Sequence, residues 1–287
     1  MKTLYVMDPL ESLNLEGDST YMMMLEANNR GGTTFWCTPQ DLFALGGRAF
    51  AKMIEVNVLA VEPFFIQGPA VDTDLGEMDV IWMRKDPPFD MAYIFSTYML
   101  DLVPSSTLVL NDPRAIRNFN EKMYALHFAE YCPETLVTRE ISRAKQWAKK
   151  HPKVVIKPWD GNGGRGVLVT SHEDPNFGSM LEILTDNQQE YILVQEYLPE
   201  IIEGDKRIIL IGGEAVGQML RVPQKGDHRG NIHVGAGVQA CELTDREREI
   251  CAVLAPELQK HNLLFVGIDT IGDKMTEINV TSPTGIQ

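Results

Sequence analysis

Cysteine, long apolar runs and positive charge are all scarce in this chain. None of the four cysteines belongs to a CxxC pair, and the six histidines show no metal-ligand spacing beside them. These absences exclude a disulfide scaffold and a zinc site of the usual kinds, and they favour reduced thiols packed as small apolar residues. The cysteines are Cys37, Cys132, Cys241 and Cys251.

Two further absences concern membranes. No stretch approaches the ~20 apolar residues that a membrane-spanning helix needs. The apolar run from Leu4 to Met7 ends at Asp8-Pro9, so it is too short for the core of a signal peptide. The sequence therefore predicts a cytoplasmic protein that has no membrane partner.

The charge balance limits the ligands. Asp and Glu number 40 against 26 Lys and Arg, which gives a formal net charge of −14. A duplex binder needs a basic surface that neutralises phosphates, so nucleic acid is excluded as a partner. Any anionic ligand must therefore sit in a local basic pocket. With 287 residues, 44% of them hydrophobic, the chain is long enough for two or three structural units.

Short apolar strands alternate with helical stretches in the first part of the chain. The predicted helices lie near Thr20–Asn29 and Met91–Leu102. This alternation predicts a doubly wound parallel sheet whose ligands sit beyond the carboxyl ends of the strands, where Asp8, Arg84 and Asn111 lie. The predicted strands are Leu4–Met7, Thr33–Cys37, Val56–Val61, Val80–Met83 and Leu108–Leu110.

The pattern changes in the second part of the chain. A predicted helix carries Lys122, and from Thr135 onward hairpin-like strand pairs dominate. Pro223–Gly237, with its glycines and charges, is predicted to be a long mobile loop. This part is therefore α+β rather than doubly wound. Its predicted helices are Ser142–Lys150, Phe177–Asp186 and Thr244 to about His261.

A glycine-rich segment joins two of these strands. Val154–Lys157 and Val167–Thr170 are apolar and β-branched, so the segment between them is a hairpin. A hairpin is not the strand-to-helix turn that GxGxxG requires, and no Walker A lysine follows. It can fold over phosphates with Lys157 emerging beside it as a cation, or it is an ordinary exposed hairpin. The segment is Asp160, Gly161, Asn162, Gly163, Gly164, Arg165 and Gly166.

A second hairpin, from Leu263 to Val280, has a register that follows from its apolar pattern. A two-residue turn at Gly272-Asp273 would scatter the acids over both faces. A three-residue loop that includes Lys274 instead gives one mostly apolar face. This loop pairs Val266 with Val280, Ile268 with Ile278 and Thr270 with Thr276 on that face, and Asp269 with Glu277 and Gly267 with Asn279 on the other.

Three oxygen ligands converge on the polar face of this second hairpin. Like charges directly across a sheet repel, so Asp269 and Glu277 need compensation, which a divalent cation supplies. Asn279 adds a neutral oxygen, and Gly267 leaves room above the site. Hard oxygen ligands of this kind suit Mg²⁺ bridged to substrate phosphates. The alternative is a solvated acidic hairpin in a very acidic protein.

Two arginines and an extended segment complete the candidates. Arg207 follows Asp205 at the start of one strand and Arg221 ends its hairpin partner, so their guanidinium groups can lie together and bind an anion. The alternative for either arginine is a surface ion pair. Asp205 can accept from a ribose hydroxyl. The extended segment, which can meet an adenine edge, is Gln195, Glu196, Tyr197 and Leu198.

Together these residues resemble the ATP-grasp superfamily and, within it, the bacterial glutathione synthetases. The resemblance spans essentially the whole chain. It is most specific in the runs Arg-Lys-Asp-Pro-Pro-Phe-Asp from Arg84 and Thr-Glu-Ile-Asn-Val-Thr-Ser-Pro-Thr from Thr276. The other matching pieces are Met7 to Leu10, Asp18 to Thr20, Asn120 to Lys122, Lys157-Pro158 with the glycine loop, Gly204 to Arg207 and Arg229 to Asn231.

The resemblance implies an α/β fold that becomes α+β in its C-terminal half. A doubly wound parallel-sheet domain at 1–120 would precede an ATP-grasp module of two α+β subdomains. These are a central lid subdomain with the glycine-rich loop at 121–200 and a C-terminal subdomain with the metal hairpin at 201–287. The resemblance also implies a homotetramer. Family members continue for about another helix after the Ser-Pro-Thr-Gly run, so a continuation beyond Gln287 is expected.

The resemblance further implies an ATP-dependent ligase that joins γ-glutamylcysteine to glycine. The cysteinyl carboxylate would attack the γ-phosphate of ATP, and the glycine amine would capture the acyl phosphate to give glutathione, ADP and phosphate. Two Mg²⁺ ions, with Mn²⁺ as a substitute, would accompany ATP. Catalysis would rest on positioning and charge neutralisation.

The family's ATP contacts then fall on matching residues. Lys122 and Lys157 would hold the phosphates, and Asp205 would meet the ribose. Pro223–Gly237 would be a lid that excludes water from the acyl phosphate. The loop over the phosphates would be Gly161, Asn162, Gly163, Gly164, Arg165 and Gly166, and the adenine segment would be Gln195, Glu196, Tyr197 and Leu198.

Metal and substrate contacts fall mainly on the last third of the chain. Arg207 and Arg221 would be catalytic, holding the substrate carboxylate or the acyl phosphate. The metal ligands would be Asp269, Glu277 and Asn279. The remaining peptide contacts would be Arg84, Asn279, Ser282 and Thr284.

Two other functions stay open from the sequence. Another ATP-grasp amino-acid or dipeptide ligase would share the ATP site but not the run that starts at Arg84. The other is a non-catalytic ATP-binding regulatory module, against which the intact site residues argue. These residues are Lys122, Lys157, Arg207, Arg221, Glu277 and Asn279.

Overall fold

Apolar strands in the first 110 residues build one seven-stranded sheet. The computed structural model describes residues 1–161, 163–224 and 237–287. Most of the strands occupy the stretches where the apolar runs predict them. They are β1 (Lys2–Val6), β2 (Thr33–Cys37), β3 (Leu42–Leu45), β4 (Arg48–Val58), β5 (Phe65–Asp74), β6 (Val80–Met83) and β7 (Leu108–Leu110).

The sheet is parallel only in part. Strands β2, β1, β6 and β7 run parallel in that order, which confirms the predicted parallel sheet for these four. Strand β4 runs antiparallel to β2, and β3 and β5 pair with β4 as an antiparallel extension. The strand predicted at Val56–Val61 is therefore wrong in its start and in its direction. It is the end of an 11-residue strand whose alternating burial is typical of a half-exposed antiparallel sheet.

The parallel strands are doubly wound. Helix α1 (Ser19–Asn29) packs on one face and α2 (Met91–Leu100) on the other, because successive side chains of β1 point to opposite faces. Tyr5 belongs to the core under α1, whereas Leu4 belongs to the core under α2. An aspartate caps each helix through its side chain, as such residues commonly do.

The second sheet is antiparallel and follows residue 134. Its strands are paired in the order β10-β9-β11-β8. One face packs on two short helices, and Val154, Ile156 and Val194 point into that core. The elements are β8 (Thr135–Thr138), α4 (Ile141–Ala148), β9 (Val154–Pro158), β10 (Leu168–Thr170), α5 (Phe177–Leu184) and β11 (Ile192–Glu196).

The third sheet is also antiparallel, in the order β14-β13-β12-β15-β16. Its apolar face packs against helix α6, whose start is fixed by a capping box between Thr244 and Glu247. The elements are β12 (Asp205–Ile211), β13 (Glu214–Val222), β14 (Gly237–Gln239), α6 (Asp245–Lys260), β15 (Phe265–Ile271) and β16 (Lys274–Asn279).

Lys122 does not lie on a helix, which corrects the prediction. Helix α3 (Pro113–Asn118) ends four residues earlier, and Lys122 sits in the turn before the 3-10 helix Tyr124–Tyr131. The reason is local, because the side chain of Asn120 accepts from the backbone N–H groups of Lys122 and Met123. Such a side-chain bond competes with helix propagation.

The expected lid and the expected domain boundaries stay predictions. Residue 162 and residues 225–236 lie outside the described residues, and they include most of the lid expected at Pro223–Gly237. The boundaries expected at residues 120 and 200 are likewise untested. Across the described ranges, no helix has the length and apolar character needed to cross a membrane.

One buried asparagine ties the first sheet to the third. Asn111 follows β7, donates to the carbonyl oxygens of Phe265 and Val280 at 2.8 Å each, and accepts from the N–H of Phe265 at 2.9 Å. The side chain is 3% exposed. Asn111 therefore acts as a structural tie between two sheets rather than as a ligand contact at the strand end.

Replacing Asn111 by leucine should lower the free energy of unfolding by about 3 kcal/mol or more, because three buried backbone groups lose their partner. Urea unfolding of the ligand-free protein measures this loss. Asn57→Ala, on an exposed position of β4, is the control and should change stability by less than about 0.5 kcal/mol. Equal effects of the two variants would contradict the structural role of Asn111.

Candidate active site

A cavity lies between the second and third sheets. Both sheets put one face on helices and turn the other toward this cavity, which follows from the alternation of side chains along a strand. On β9, Val154 and Ile156 are in the core while Val155 and Lys157 line the cavity. Val169 and Gln195 pair with Val155 across the sheet, and they line it too.

The lining combines an apolar part with a charged part. Its apolar members come from both sheets and from the segment between them. Most of the residues predicted to bind ATP are present as well. The apolar members are Pro133, Val155, Pro158, Val167, Val169, Leu198, Ile201 and Ile271, and the charged ones are Lys122, Lys157, Arg165, Glu196, Asp205, Asp269 and Glu277.

Two buried lysines share one carboxylate at this cavity. Lys122 and Lys157 are 4% and 5% exposed, and their Nζ atoms lie 3.6 and 3.7 Å from Oε1 of Glu277. Lys122 also donates to the carbonyl oxygen of Gly161. Burial lowers the pKa of Lys157, and Lys122 lowers it further, although Glu277 opposes both. An additional anion beside the lysines would therefore be stabilised.

A row of charged residues crosses the third sheet beside the lysines. Register sets Arg207 of β12 opposite Asp269 of β15, and Asp269 opposite Glu277 of β16. Arg207 donates two hydrogen bonds to Asp269, from Nε to Oδ1 at 2.5 Å and from Nη2 to Oδ2 at 2.9 Å. Arg221 lies 3.1 Å from Asp269 and 2.6 Å from Asp205. The two guanidinium groups thus meet on one carboxylate.

Burial and charge act in opposite directions on the two aspartates of this row. Burial alone would raise the pKa of Asp269, but the guanidinium groups of Arg207 and Arg221 outweigh it and hold that pKa below its usual range. For Asp205, burial raises the pKa and Arg221 offsets only part of the effect. Among the described residues, Oδ1 of Asp205 and Nε of Arg221 are buried and have no hydrogen-bond partner.

The predicted register of the second hairpin is correct at the site and wrong at the turn. Gly267 pairs with Asn279, Ile268 with Ile278 and Asp269 with Glu277, as the apolar pattern indicates. Beyond Asp269 the register shifts, so Thr270 pairs with Met275 instead of Thr276. The turn has two residues, Gly272 and Asp273, and Thr276 forms a bulge. The bulge adds one residue to β16, so the apolar side chains still share one face without the predicted three-residue loop.

The space above Gly267 is filled, contrary to expectation. A Cβ at this position would lie 3.1 Å from Cδ of Arg207 and 3.2 Å from Cβ of Pro283. Glycine is therefore needed for the close approach of Arg207. Asn279 donates to the carbonyl oxygen of Gly267 and to Oδ2 of Asp269, both at 3.3 Å.

The three expected metal ligands lie side by side, but only two of them are carboxylates. In the described part of the chain, no three His, Cys, Asp or Glu side chains cluster as a metal site. Asp269, Glu277 and Asn279 provide two carboxylates and one amide on one face of the hairpin. This donor set fits Mg²⁺, which usually takes one or two carboxylates and completes its shell with water and phosphate oxygens.

The glycine-rich segment is a hairpin loop between β9 and β10, as predicted. Gly163, Gly164 and Gly166 have φ of 59°, 78° and 72°, a region that side chains rarely adopt. Gly163 and Gly164 line the cavity together with Gly161 and Arg165, whereas Gly166 does not line it. Asn162 lies outside the described residues.

Three of the predicted peptide contacts lie away from the cavity. Arg84 is buried at the carboxyl end of β6, where it donates to Thr20 and to the carbonyl oxygen of Pro283, both at 3.0 Å. Ser282 donates to Asp86, and the carbonyl oxygen of Thr284 accepts from Arg207. They connect the edge of the first sheet to the charged row. In the residues that the structure describes, Nη1 of Arg84 has no partner.

Sequence reasoning missed the apolar lining and a half-buried acid. Glu121 precedes Lys122 and accepts from Thr281 at 2.9 Å, and burial raises its pKa. Val155, Ile201 and Ile271 were also missed as cavity residues. Val155 had a usable signal, because it lies two residues before Lys157 and therefore on the same strand face.

Comparison with known proteins identifies the family. Residues 1–117 match the model for the N-terminal domain of prokaryotic glutathione synthetase, and residues 121–287 match the model for its ATP-grasp domain. The chain belongs to the prokaryotic glutathione synthetase family. It is accordingly an ATP-dependent ligase that forms glutathione and works with a divalent metal.

Relatives of this family match over most of their length. The glutathione synthetase of Agrobacterium fabrum is 44% identical over 98% of this chain and 88% of its own. That of Shewanella oneidensis is 41% identical over 98% and 90%.

Solved structures share the fold at low identity. A D-cycloserine synthetase superposes with a TM-score of 0.68 at 15% identity, covering 98% of this chain and 92% of that one. D-alanyl-alanine synthetase A from Vibrio cholerae gives 0.61 at 14% identity, covering 98% and 89%. At such identities the likeness concerns the fold alone.

Asp269→Asn should lower the free energy of unfolding by about 3–5 kcal/mol at neutral pH, because two buried guanidinium groups lose their carboxylate. A depressed pKa contributes stability above the unfolded pKa of ~3.9, and this stability is lost as the pH falls through that value toward the folded pKa. The difference between parent and variant should therefore shrink below pH ~4. Urea unfolding across a pH series measures it.

The matched control is Asp72→Asn, on an exposed position of β5. It should leave stability within about 0.5 kcal/mol of the parent at every pH. A deficit in Asp269→Asn that stays constant down to the lowest pH would contradict the assigned pairing.

Proposed function

We propose that the cavity holds ATP, with the triphosphate between the glycine hairpin and the two buried lysines. The observation that carries this proposal is the shared carboxylate: Lys122 and Lys157 face only Glu277 within ion-pair distance among the described residues. A triphosphate would supply the missing negative charge. The loop from Gly161 to Gly166 would cover it with backbone N–H groups.

The base and ribose take the remaining part of the cavity. Val155, Leu198 and Ile271 offer apolar surface for the faces of adenine. The backbone from Gln195 to Leu198 runs along the cavity and would bond the edge of the base. Oδ1 of Asp205, buried without a partner in the described structure, would accept from a ribose hydroxyl.

The divalent metal would be two Mg²⁺ ions, with Mn²⁺ as a substitute. Asp269, Glu277 and Asn279 would hold them together with phosphate oxygens, in keeping with hard oxygen donors. Bound Mg²⁺ would neutralise charge that develops on the phosphates during transfer. Asp269 already accepts from Arg207 and Arg221, so Glu277 has the more available carboxylate.

The ligation would proceed in two displacements. A carboxylate oxygen of γ-glutamylcysteine attacks the γ-phosphorus, the bond to ADP breaks, and an acyl phosphate forms. The glycine nitrogen then attacks the acyl carbon and loses a proton, and inorganic phosphate leaves with the oxygen that made the attack. No protein nucleophile is needed, so the side chains act by positioning and by charge.

Arg207 and Arg221 would stabilise the negative charge of these steps. Their guanidinium groups are 7% and 4% exposed and fixed by Asp269 and Asp205, so their orientation is set before substrate arrives. Nε of Arg221 remains available as a donor in the described structure. These arginines would hold the substrate carboxylate and then the acyl phosphate.

The peptide substrate would lie between this row and the edge of the first sheet. Arg84, Ser282 and Thr284 connect the two regions, and Nη1 of Arg84 is a buried donor without a partner in the described structure. Asn279 would complete the peptide contacts. We place the enzyme in a reducing cytoplasm, because all four cysteines are free and three of them are buried.

The direct test is a coupled assay for ADP release with the purified chain, ATP and Mg²⁺. We expect ADP release only when γ-glutamylcysteine and glycine are both present, with glutathione formed in equal amount. Release with another amino-acid pair, and none with these substrates, would favour a different ligase. Nucleotide binding without release for any pair would favour a regulatory module.

Glu277→Ala should lower kcat by at least about 100-fold, because the site loses a metal ligand and the partner of both lysines. The melting temperature should fall, because two buried lysines lose their partner, but the variant should stay folded at the assay temperature, because Glu277 lies on the cavity face and not on the apolar face. Glu214→Ala, on an exposed position of β13, is the control and should keep full activity. A collapse of the melting temperature that accounts for the lost activity would contradict this assignment.

A further inference from the structure

A second, smaller cavity adjoins the one between the second and third sheets. Its empty volume is about 380 Å³, against about 890 Å³ for the first cavity. Lys122 and Gly161 line both cavities, and Nζ of Lys122 donates to the carbonyl oxygen of Gly161. These two residues therefore stand at the boundary, and a ligand in the second cavity would lie next to the phosphates that Lys122 would bind.

Acidic and aromatic side chains line the second cavity. Among the described residues that line it, Lys122 is the only cation, and it already pairs with Glu277. Carboxylates attract an ammonium group, and so do the faces of aromatic rings. This lining therefore suits a small ligand that carries an ammonium group. The carboxylates are those of Glu121 and Asp160, and the rings are those of Phe89, Phe119 and Trp159.

Glu121 has a carboxylate that is fixed in place but not neutralised. Its Oε1 accepts from Oγ1 of Thr281 at 2.9 Å, and its carbonyl oxygen accepts from the N–H of Ile278 at 2.9 Å. In the described part of the chain, no lysine, arginine or histidine forms an ion pair with this carboxylate. Burial raises the pKa of Glu121 and Glu277 raises it further, whereas Lys122 lowers it. A cation bound beside Glu121 would therefore be stabilised.

We propose that Glu121 binds the ammonium group of the amine substrate, so that glycine approaches the acyl phosphate from the second cavity. This inference rests on the proposed function, because only a ligase that consumes an amine needs such a site. Lys122 borders both cavities. An amine held by Glu121 is therefore next to the phosphate group that leaves when the amide bond forms.

The dipeptide substrate also carries an ammonium group, and position distinguishes the two sources. In γ-glutamylcysteine the ammonium group belongs to the glutamyl end, most of the length of the dipeptide away from the cysteinyl carboxylate that reacts. Glu121 stands at the reacting end, because it precedes Lys122, whose Nζ lies 3.6 Å from Oε1 of Glu277. The geometry therefore favours glycine as the ligand of Glu121.

Glu121→Gln tests this role through the kinetics of ADP release. The KM for glycine should rise by at least about tenfold, because the ammonium group loses a charged partner. The kcat at saturating glycine and the KM values for ATP and γ-glutamylcysteine should change little, as for a contact that binds substrate and transition state alike. The control is Glu130→Gln, which is exposed and lies outside both cavities, and it should match the parent. An unchanged KM for glycine, or a rise confined to γ-glutamylcysteine, would overturn the proposal.

Hydroxylamine separates this inference from the proposed function. It is largely uncharged at neutral pH and captures acyl phosphates as hydroxamates, so it replaces glycine without needing a partner for an ammonium group. The parent with ATP, Mg²⁺ and γ-glutamylcysteine should form the hydroxamate, and its absence would contradict the acyl phosphate itself. Glu121→Gln should form it at a rate close to that of the parent. Equal losses with hydroxylamine and with glycine would overturn the binding of the amine by Glu121 while leaving the ligase assignment intact.

Trp159→Leu is the second variant, and it removes a ring from the lining without changing any charge. The KM for glycine should rise by about threefold, because the ammonium group loses its attraction to the ring. Hydroxamate formation should stay close to that of the parent. If Glu121→Gln does not fold, an unchanged KM for glycine in Trp159→Leu would overturn the proposal.

Discussion

The ion pairs of Arg207 and Arg221 with Asp269 are the interaction on which the rest of the site depends. Because the chain is acidic, it needs buried cations to bind the triphosphate of ATP. Buried cations in turn need carboxylate partners while the triphosphate is absent. Asp269 fixes both arginines, and Glu277 lies between the two lysines. The carboxylates are themselves fixed by strand register, because Arg207, Asp269 and Glu277 stand directly opposite one another on adjacent strands.

This row is supported from the opposite face of the same sheet. Glu247, 2% exposed at the start of α6, accepts from Lys206 at 2.6 Å and from Thr270 at 3.0 Å. Lys206 and Thr270 are the sequence neighbours of Arg207 and Asp269, and they point the other way because side chains alternate along a strand. The helix, the sheet and the charged row are therefore aligned by a single register. A slip of one residue would move every charge to the apolar face.

Much of this arrangement could be predicted from local pattern. The pairing of Asp269 with Glu277 followed from one apolar face in Ile268 and Ile278, and the glycine hairpin followed from two β-branched strands. Such patterns are local. They arise because one face of each strand is buried, and the spacing of apolar residues in the sequence indicates that face directly. The resemblance supplied the substrates, which no pattern in the residues could give.

Other features depend on contacts between distant segments. The antiparallel extension was missed except for the end of β4, because β3 and β5 are mostly exposed and have no alternation of buried and exposed positions. The tie from Asn111 to Phe265 and Val280 joins residues more than 150 positions apart. Lys122 lies outside the predicted helix because its backbone N–H donates to the side chain of Asn120. The second hairpin has a bulge at Thr276 and a two-residue turn instead of the predicted three-residue loop. For Asn111 and Lys122, a side-chain hydrogen bond that no sequence pattern indicates determines the geometry.

We propose that this site transfers a phosphoryl group to a carboxylate before the amide forms. The most direct measurement uses γ-glutamylcysteine labelled with ¹⁸O in its cysteinyl carboxylate, with ATP, Mg²⁺ and glycine, followed by mass analysis of the phosphate released. We expect one labelled oxygen to appear in each inorganic phosphate and the other to stay in the new amide. Phosphate free of label, formed together with glutathione, would contradict it.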